Sequence, residues 1–394
     1  MNFTSFLNNP FELILILTIF VVWIIQIWFY LYHYRGLIKL ASGVRNGKTP
    51  LSTLQPPVTV IVCARDQADK LEINLPLILR QKYPEFQVVV VNDASTDETE
   101  DVLMRFEKST PNLYHTFIPP GVQNVSARKM AITIGIKAAK YEHLLFIDPD
   151  CVPESDDWIS SLMSSFDEKT GLVLAYSTFP EENDFFTKMV LFDNLFSAIQ
   201  FMGFAINGKA YMGFSNNLAY KKDLFFKNKG FASYLQLNSG EDDLFISEIS
   251  TSENTRISIE PASKVVAYKE NVWKFWKRQR FNRFSTYSYY SLGTKMRLAS
   301  EMISRCVFYL TIPVMIAYGI VTQNILLIIF SAALFLLRYI IQVLIINKNA
   351  RKLNENNYYL SLLLFDIILP WVKSFLWFKH LTQRNNDFTR RVLR

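Results

Sequence analysis

Asp148-Pro149-Asp150 follows the short apolar run Leu144–Ile147. Two carboxylates at i and i+2 leaving a buried strand repel one another unless a cation lies between them. Hard carboxylate oxygens hold Mg²⁺ or Mn²⁺ against a diphosphate in this way. A DxD triplet is also a common loop turn, and the strand before it is what gives this one weight. A second acidic cluster, Gly240-Glu241-Asp242-Asp243-Leu244, opens a short helical stretch that continues over 245–249. Acids at a helix N-terminus complement the helix dipole, yet three in succession exceed that need. Activation of a hydroxyl nucleophile requires one carboxylate as general base, near but separate from a metal pair. Further acids stand in Ala64-Arg65-Asp66 and in Asn92-Asp93-Ala94-Ser95-Thr96-Asp97. Asp97 reads as a cap for a helix over 98–106, whereas Asp93, at a strand exit, can accept the donors of a nucleotide's base or ribose. Finally, residues 273–284, WKFWKRQRFNRF, interleave cations with aromatics. A basic amphipathic helix on a membrane surface accounts for them; the alternative is that Arg280 and Arg283 face a departing diphosphate.

These residues need a frame, and the apolar periodicity supplies one. Val58–Cys63, Phe86–Val91 and His143–Ile147 are β-branched or apolar runs, separated by helical stretches at Leu71–Gln81 and Ala127–Ala139. That βαβ rhythm is the mark of a parallel sheet. In such sheets ligands bind at the carboxyl ends of strands, where Arg65, Asp93 and Asp148 fall. Residues 51–270, roughly 220 in number, suit one α/β domain.

The chain as a whole has 394 residues, of which 50% are hydrophobic, 15% aromatic and 20% charged, excluding a disordered protein. Thirty-two Phe and 19 Tyr exceed what one soluble core normally holds, so membrane segments are mixed with the soluble part. The net charge of +7 is expected from the positive-inside rule rather than from nucleic-acid binding. Three widely spaced cysteines, Cys63, Cys151 and Cys306, form neither a disulfide framework nor a zinc pattern and fit a reducing, cytoplasmic setting.

Phe11–Tyr32 carries one charge, Glu12, and is long enough for a transmembrane helix. Met1–Pro10 lacks Lys and Arg, unlike a cleaved signal peptide. Arg35, Lys39, Arg45 and Lys48 follow, which places the subsequent domain in the cytoplasm. Ile303–Val321 and Ile325–Ile346 read as a transmembrane hairpin, with Arg338 snorkelling or paired within the bundle. Tyr358–Phe378, interrupted by Asp366, Pro370 and Lys373, reads as an interfacial or re-entrant segment that leaves the basic tail in the cytoplasm. The expected organisation is a membrane helix (1–35), an α/β domain (51–270), an interfacial segment (271–300), a hairpin (301–347), a further apolar segment (358–378) and a tail (379–394).

Taken together, Ala-Arg-Asp, Asn-Asp-Ala-Ser-Thr-Asp, Asp-Pro-Asp and Gly-Glu-Asp-Asp, followed by an Arg-aromatic pair and membrane helices, resemble membrane-integrated family-2 glycosyltransferases of bacterial polysaccharide-synthase type. The resemblance spans about Pro57–Phe284. It implies a GT-A fold and an inverting transfer from a nucleotide-sugar, commonly a UDP-sugar, to a hydroxyl acceptor, with Mg²⁺ or Mn²⁺. Position by position, it gives Ala64, Arg65 and Asp66 to the nucleobase, Asp93 to uracil or ribose, and Lys129 to the basic residue after the nucleotide-binding loops. Asp148 and Asp150 match the metal-binding DxD, with Asp148 at the nucleotide. Gly213 and Asn216, in GFSNNLAY, match the acceptor site. Glu241-Asp242 matches the acidic pair whose Asp is the general base. Arg280 and Arg283 fall at the diphosphate, and Phe284 at the aromatic cap over the acceptor.

Processive members show Gln-x-x-Arg-Trp. When Arg283-Phe284 is aligned with its end, Arg280 stands at the Gln position and Gln279 one residue early. Transfer of a single sugar to a lipid-linked or membrane-proximal acceptor therefore stands beside polymerisation, and the short membrane portion implies an export partner for a polymer. The expected site is the cell inner membrane, multi-pass, with the catalytic domain in the cytoplasm. A nucleotidyltransferase would begin with a Gly-rich loop, and residues 63–70, CARDQADK, contain no Gly. A non-catalytic scaffold or export subunit that keeps the nucleotide-sugar-binding fold is the rival reading.

Overall fold

The computed structural model describes residues 10–48, 51–118 and 126–390, with side chains through residue 382. Helix α1 (Pro10–Trp28) leads through a π-helical segment (Phe29–Tyr34) to α2 (Gly36–Arg45). An α/β region then runs β1 (Val58–Ala64), α3 (Ala68–Leu79), β2 (Phe86–Asn92), α4 (Thr99–Ser109), β3 (Leu113–Phe117), α5 (Ala127–Ala138), β4 (His143–Ile147), β5 (Cys151–Pro153), α6 (Trp158–Met163), β6 (Leu172–Leu174), β7 (Ser177–Thr178), α7 (Phe185–Ile206), β8 (Leu218–Lys221), α8 (Lys222–Lys227), α9 (Leu244–Ile249), β9 (Thr255–Ile257), β10 (Val265–Ala267) and α10 (Val272–Tyr287). Three long helices follow: α11 (Leu292–Val321), α12 (Ile325–Lys352) and α13 (Leu360–Arg390). The chain separates into two compact units, one built from α1 and α11–α13, the other from the α/β region.

The α/β unit holds a seven-stranded sheet in the order β3-β2-β1-β4-β8-β6-β9 and a smaller sheet, β5-β10-β7. β3, β2, β1 and β4 are parallel to one another, while β8 runs antiparallel to both β4 and β6. Strands β1 and β2 read VTVIVCA and FQVVVVN and are buried almost throughout, as expected where helices cover both faces of a parallel sheet. Their register fixes the site. Ala64 pairs with Asn92 and Val62 with Ile147, so β1, β2 and β4 end nearly level and Arg65, Asp93 and Asp148 leave the sheet side by side. The expected fold class, a mostly parallel α/β domain flanked by long apolar helices, is what forms.

Edge strand β3, LYHTF, has no clear period and was not evident in the sequence. Helix α7 was not evident either. It is long and apolar enough to cross a membrane, yet 89% of its most apolar window is buried, and it packs against α2, α10 and β9 as the core helix of the α/β unit. Among the described residues, four other segments reach that length and apolarity: Pro10–Arg45, Leu292–Val321, Ile325–Lys352 and Leu360–Thr382.

In the helical unit, Ile19, Val22, Phe308, Ile312, Met315, Leu327 and Leu334 form an apolar core. Beside it lies a buried polar cluster. Arg338 donates to Asp366 (2.9 Å), Gln26 (2.9 Å) and Tyr309 (3.0 Å), and Arg305 pairs with Asp366 (3.1 Å) and with Glu301. Two guanidinium and two carboxylate groups balance, which is the arrangement that lets charge remain inside an apolar bundle. Pro370 lies within α13, which continues through it without a break.

Candidate active site

The cleft at the carboxyl edge of the sheet has a volume of about 220 Å³ and is lined by Cys63, Ala64, Arg65, Gln67, Asp93, Arg128, Ala131, Asp148, Pro149, Asp150 and Lys269. Its floor follows from strand ends, and its rim from strained turns. Asp66 and Ala94 both adopt left-handed backbone (φ 49° and 50°), an uncommon conformation that clusters at functional sites. The two turns are laced together. Asp66 accepts from the Thr96 amide (2.7 Å) and hydroxyl (3.2 Å), and its own amide donates to Ser95 Oγ (3.0 Å). Asp97 accepts from the amides of Ala68 (3.0 Å) and Thr99 (3.1 Å), capping two helix starts at once. Asp66 thus ties the turns, while Asp93 points into the cleft with Arg65 Nη1 at 3.9 Å. Burial lifts the Asp93 carboxyl above its ordinary range, with Arg65 partly opposing.

Each carboxylate of Asp148-Pro149-Asp150 is met by a cation. Arg128 Nη2 reaches Asp148 (2.8 Å) and Ser215 Oγ (3.3 Å), and its Nε stands 3.0 Å from Glu241. Lys269 Nζ reaches both oxygens of Asp150. Burial works against the Asp148 charge, but Arg128 and Lys269 outweigh it and hold the carboxyl below the usual range. Donor atoms of Asp148, Asp150 and Cys151 lie within 4.8 Å of one another. Burial and Asp148 push the Cys151 thiol well up, and the two carboxylates are a hard pair suited to Mg²⁺ or Mn²⁺.

Arg128, left without a role on sequence grounds, lines the cleft, and Lys129, expected there, does not. Lys129 shares the buried face of α5 with Ile132 and Ile136, and its ammonium is fully buried against three backbone carbonyls: Tyr234 (2.6 Å), Leu237 (2.8 Å) and Ser239 (2.7 Å). It holds the segment that leads into Gly240-Glu241-Asp242. Arg128 and Ala131, three residues apart and so on one side of the helix, face the cleft. The signal that would have separated them is that period of three and four along α5.

The second acidic cluster divides its labour. Asp243 accepts from its neighbour's amide at Leu244, from the Tyr290 hydroxyl (2.7 Å) and from the Thr286 hydroxyl, anchoring the end of α10. Gly240 before it requires φ +121°, a conformation open to glycine. Asp242 is raised to about 8 by burial and by the neighbouring charges of Asp243 and Glu241, with Arg283 and Arg128 opposing. Burial likewise lifts Glu241. The Gly213 amide donates to the Asp242 carbonyl (2.8 Å), and a Cβ at Gly213 would come within 2.8 Å of a Leu174 methyl, so this close approach depends on glycine. Asn216 stands behind the cleft, donating to Cys151 Sγ (3.2 Å) and Ser177 Oγ (3.0 Å).

On α10, Arg280 is committed elsewhere. Its guanidinium binds Asp193 of α7, which also accepts from Trp276 Nε1 (2.7 Å), and donates to Ser197 Oγ (3.0 Å). Asp193 was missed, although a lone acid in an otherwise apolar helix was its signal. Because Asp193 is fully buried, Arg280→Gln is expected to cost about 3 kcal/mol, and Asp193→Asn/Arg280→Gln together less than the sum of the singles. Thermal melts of the detergent-solubilised variants read this; strictly additive losses would mean the pair is not coupled. Arg283, one turn on, differs: its Nε and Nη2 are buried without a hydrogen-bond partner among the described residues, and it lies close enough to Asp242 to offset its charge. Phe284 is half-buried beside it.

A mostly parallel sheet with acids at three adjacent strand ends, extended by the antiparallel β8, is a GT-A domain. Residues 59–227 match the model described as "Glycosyl transferase family 2", and the chain carries a domain of that family. The mannosyltransferase PcManGT from Pyrobaculum calidifontis, solved with GDP-Man and Mn²⁺, shares the fold, with a TM-score of 0.53 at 19% identity over 91% of this chain and 99% of that one. Among curated proteins, a poly-beta-1,6-N-acetyl-D-glucosamine synthase of Staphylococcus epidermidis is 25% identical over 99 residues, and one of Staphylococcus aureus (strain MW2) 24% identical over 99. Each match covers 25% of this chain and 23% of the relative, so the matched stretch spans about a quarter of those relatives' length.

Proposed function

We propose that this protein transfers a sugar from a nucleotide-sugar, in particular a UDP-sugar, to a hydroxyl acceptor on a glycan or lipid-linked molecule, with inversion, at the cytoplasmic face of the cell inner membrane. The observation that carries the reading is the cleft itself: Asp93 at the end of β2 and Asp148 and Asp150 beyond β4, on either side of β1, with Arg128 linking Asp148 to Glu241 beside Asp242. Four apolar helices outside the α/β unit, the first followed by Arg35, Lys39, Arg45 and Lys48, support the membrane placement.

In this reading Ala64, Arg65 and Asp93 receive the nucleoside, and Asp66 fixes the turn that presents them. Asp148 and Asp150 would hold a divalent cation, Mg²⁺ or Mn²⁺, whose chemistry is to neutralise charge on the diphosphate. Arg283, with guanidinium nitrogens to spare, meets the same developing charge. Asp242 takes the proton of the acceptor hydroxyl on the face opposite the leaving group, and Gly213, Asn216 and Phe284 shape the acceptor side.

The pH profile follows from Asp242. A base works only when unprotonated, and its pKa is raised to about 8. Turnover is therefore expected to rise with pH up to about 8 and level off above it, whereas an unshifted carboxylate would give no limb above pH 5. Initial rates between pH 6 and 9.5 at saturating donor decide between the two.

The functional test is release of free nucleoside diphosphate by detergent-solubilised protein offered a panel of nucleotide-sugars with Mn²⁺ or Mg²⁺. The relatives' names put N-acetylglucosamine and mannose donors first in that panel. Metal-dependent release from one donor, lost in Asp150→Ala, supports the proposal. Donor binding without release, across acceptors, would move the protein to the scaffold reading.

A further inference from the structure

Lys269 is a cleft residue left without a role on sequence grounds. It lies just beyond β10, whose antiparallel pairing with β5 sets Ala267 opposite Cys151 and brings the Tyr268 amide onto the Asp150 carbonyl (2.8 Å). The side chain then folds back over Asp150, with Nζ 2.7 Å from Oδ1 and 2.5 Å from Oδ2, and with 13% of its surface exposed. Behind the ammonium stands the ring of Phe275, 4.6 Å away, itself edge-on to Phe179.

The two carboxylates expected to hold a divalent cation are thus already countered by protein cations, and the two cations are not equivalent. Arg128 is fixed by Asp148, Glu241 and Ser215 through a planar fork. Lys269 hydrogen-bonds one carboxylate, from a flexible four-carbon stem, and a compact ammonium is the group a metal ion can replace electrostatically. A second cation cannot approach Asp150 closely while Nζ occupies both its oxygens, because the like charges would repel.

We propose that Lys269 is a resident counter-ion of Asp150 which a divalent cation displaces, and that the displaced ammonium, kept in the cleft by Phe275, then pairs with phosphate oxygens of the nucleoside diphosphate. The proposal rests on the nucleotide-sugar reading of the cleft. It makes Lys269 a positioning residue that opposes metal entry into the empty cleft and favours the nucleotide in the loaded one. Removing its charge must therefore move the two affinities in opposite directions, which general damage to the site would not do.

The test uses the full chain in detergent, as wild type, Lys269→Gln, Lys269→Met and Lys269→Arg, with Asp150→Asn as a control. Mn²⁺ binding without nucleotide is titrated by electron paramagnetic resonance, and UDP binding at saturating Mn²⁺ by calorimetry. Lys269→Gln and Lys269→Met are expected to bind Mn²⁺ about fivefold or more tightly and UDP about tenfold more weakly, while Lys269→Arg stays nearer wild type in both. Unchanged or weaker Mn²⁺ binding in both neutral variants overturns the proposal, as does a parallel loss of both ligands. UDP binding with no Mn²⁺ site in any variant overturns the exchange but leaves the donor reading standing. Absence of both ligands from the wild-type protein overturns both.

Discussion

Asp242→Asn is expected to lower turnover by at least about a thousandfold while UDP still binds within about twofold of wild type. The amide keeps the size and one acceptor oxygen of the carboxylate but cannot accept the proton of the hydroxyl nucleophile. The melting temperature is informative in its own right. Asp242 is half-buried between Glu241 and Asp243, and its pKa is raised first by burial and then by their repulsion. Removing one of three crowded acids relieves that repulsion, so the variant is expected to melt no lower than wild type, and higher above pH 8, where the native carboxylate would be charged. The sign follows from the direction of the shift. A carboxyl whose folded pKa is raised weakens stability as pH climbs from its unfolded value through about 8. Residual transfer above a few per cent would remove Asp242 from the role of base. Loss of UDP binding together with turnover would reassign it to the metal or to folding.

Lys129→Met is expected to have the largest effect on stability. The methionine fits the channel along α5, but the carbonyls of Tyr234, Leu237 and Ser239 lose their shared donor in a site closed to water. The Tyr234 carbonyl keeps the Leu237 amide (3.1 Å); each of the other two costs about 1–3 kcal/mol, a sum of about 4 kcal/mol, or roughly a 10 °C fall in melting temperature for a domain of this size. Because these carbonyls belong to the segment that carries Gly240-Glu241-Asp242, turnover should fall with the fold, and UDP binding should survive at temperatures where the sheet is still intact. Lys129→Arg, which restores donors but not the compact three-way geometry, should recover only part of the loss. A melting temperature within about 2 °C of wild type for Lys129→Met would show that those carbonyls find water instead.

The strand ends were legible because they depend on local pattern. Val58–Cys63, Phe86–Val91 and His143–Ile147 are apolar runs whose last residues must lie at the sheet's edge, so Arg65, Asp93, Asp148 and Asp150 could be named as cleft residues before any tertiary contact was known. The same logic made Asp97 a cap, since the need of helix N-termini for acceptors is local. The choice between Arg128 and Lys129 was half-legible: the helix was evident, but which side of it faces the cleft depends on which neighbours pack against Ile132 and Ile136.

By itself, then, the sequence determined an α/β domain between apolar helices and the acids at the mouth of its sheet, because hydrophobic periodicity and strand length are properties of neighbouring residues. The tertiary structure alone decided the partners of those acids. Lys269 lies 119 positions from Asp150 and Arg280 lies 87 from Asp193, and each pair is joined by packing that no spacing along the chain encodes. It also decided that α7, as apolar as a membrane span, is buried inside the α/β unit, since an all-round apolar helix satisfies the hydrophobic effect equally well in lipid or in a core. Local physics sets where a side chain leaves the backbone, and long-range burial and charge pairing set what it meets there.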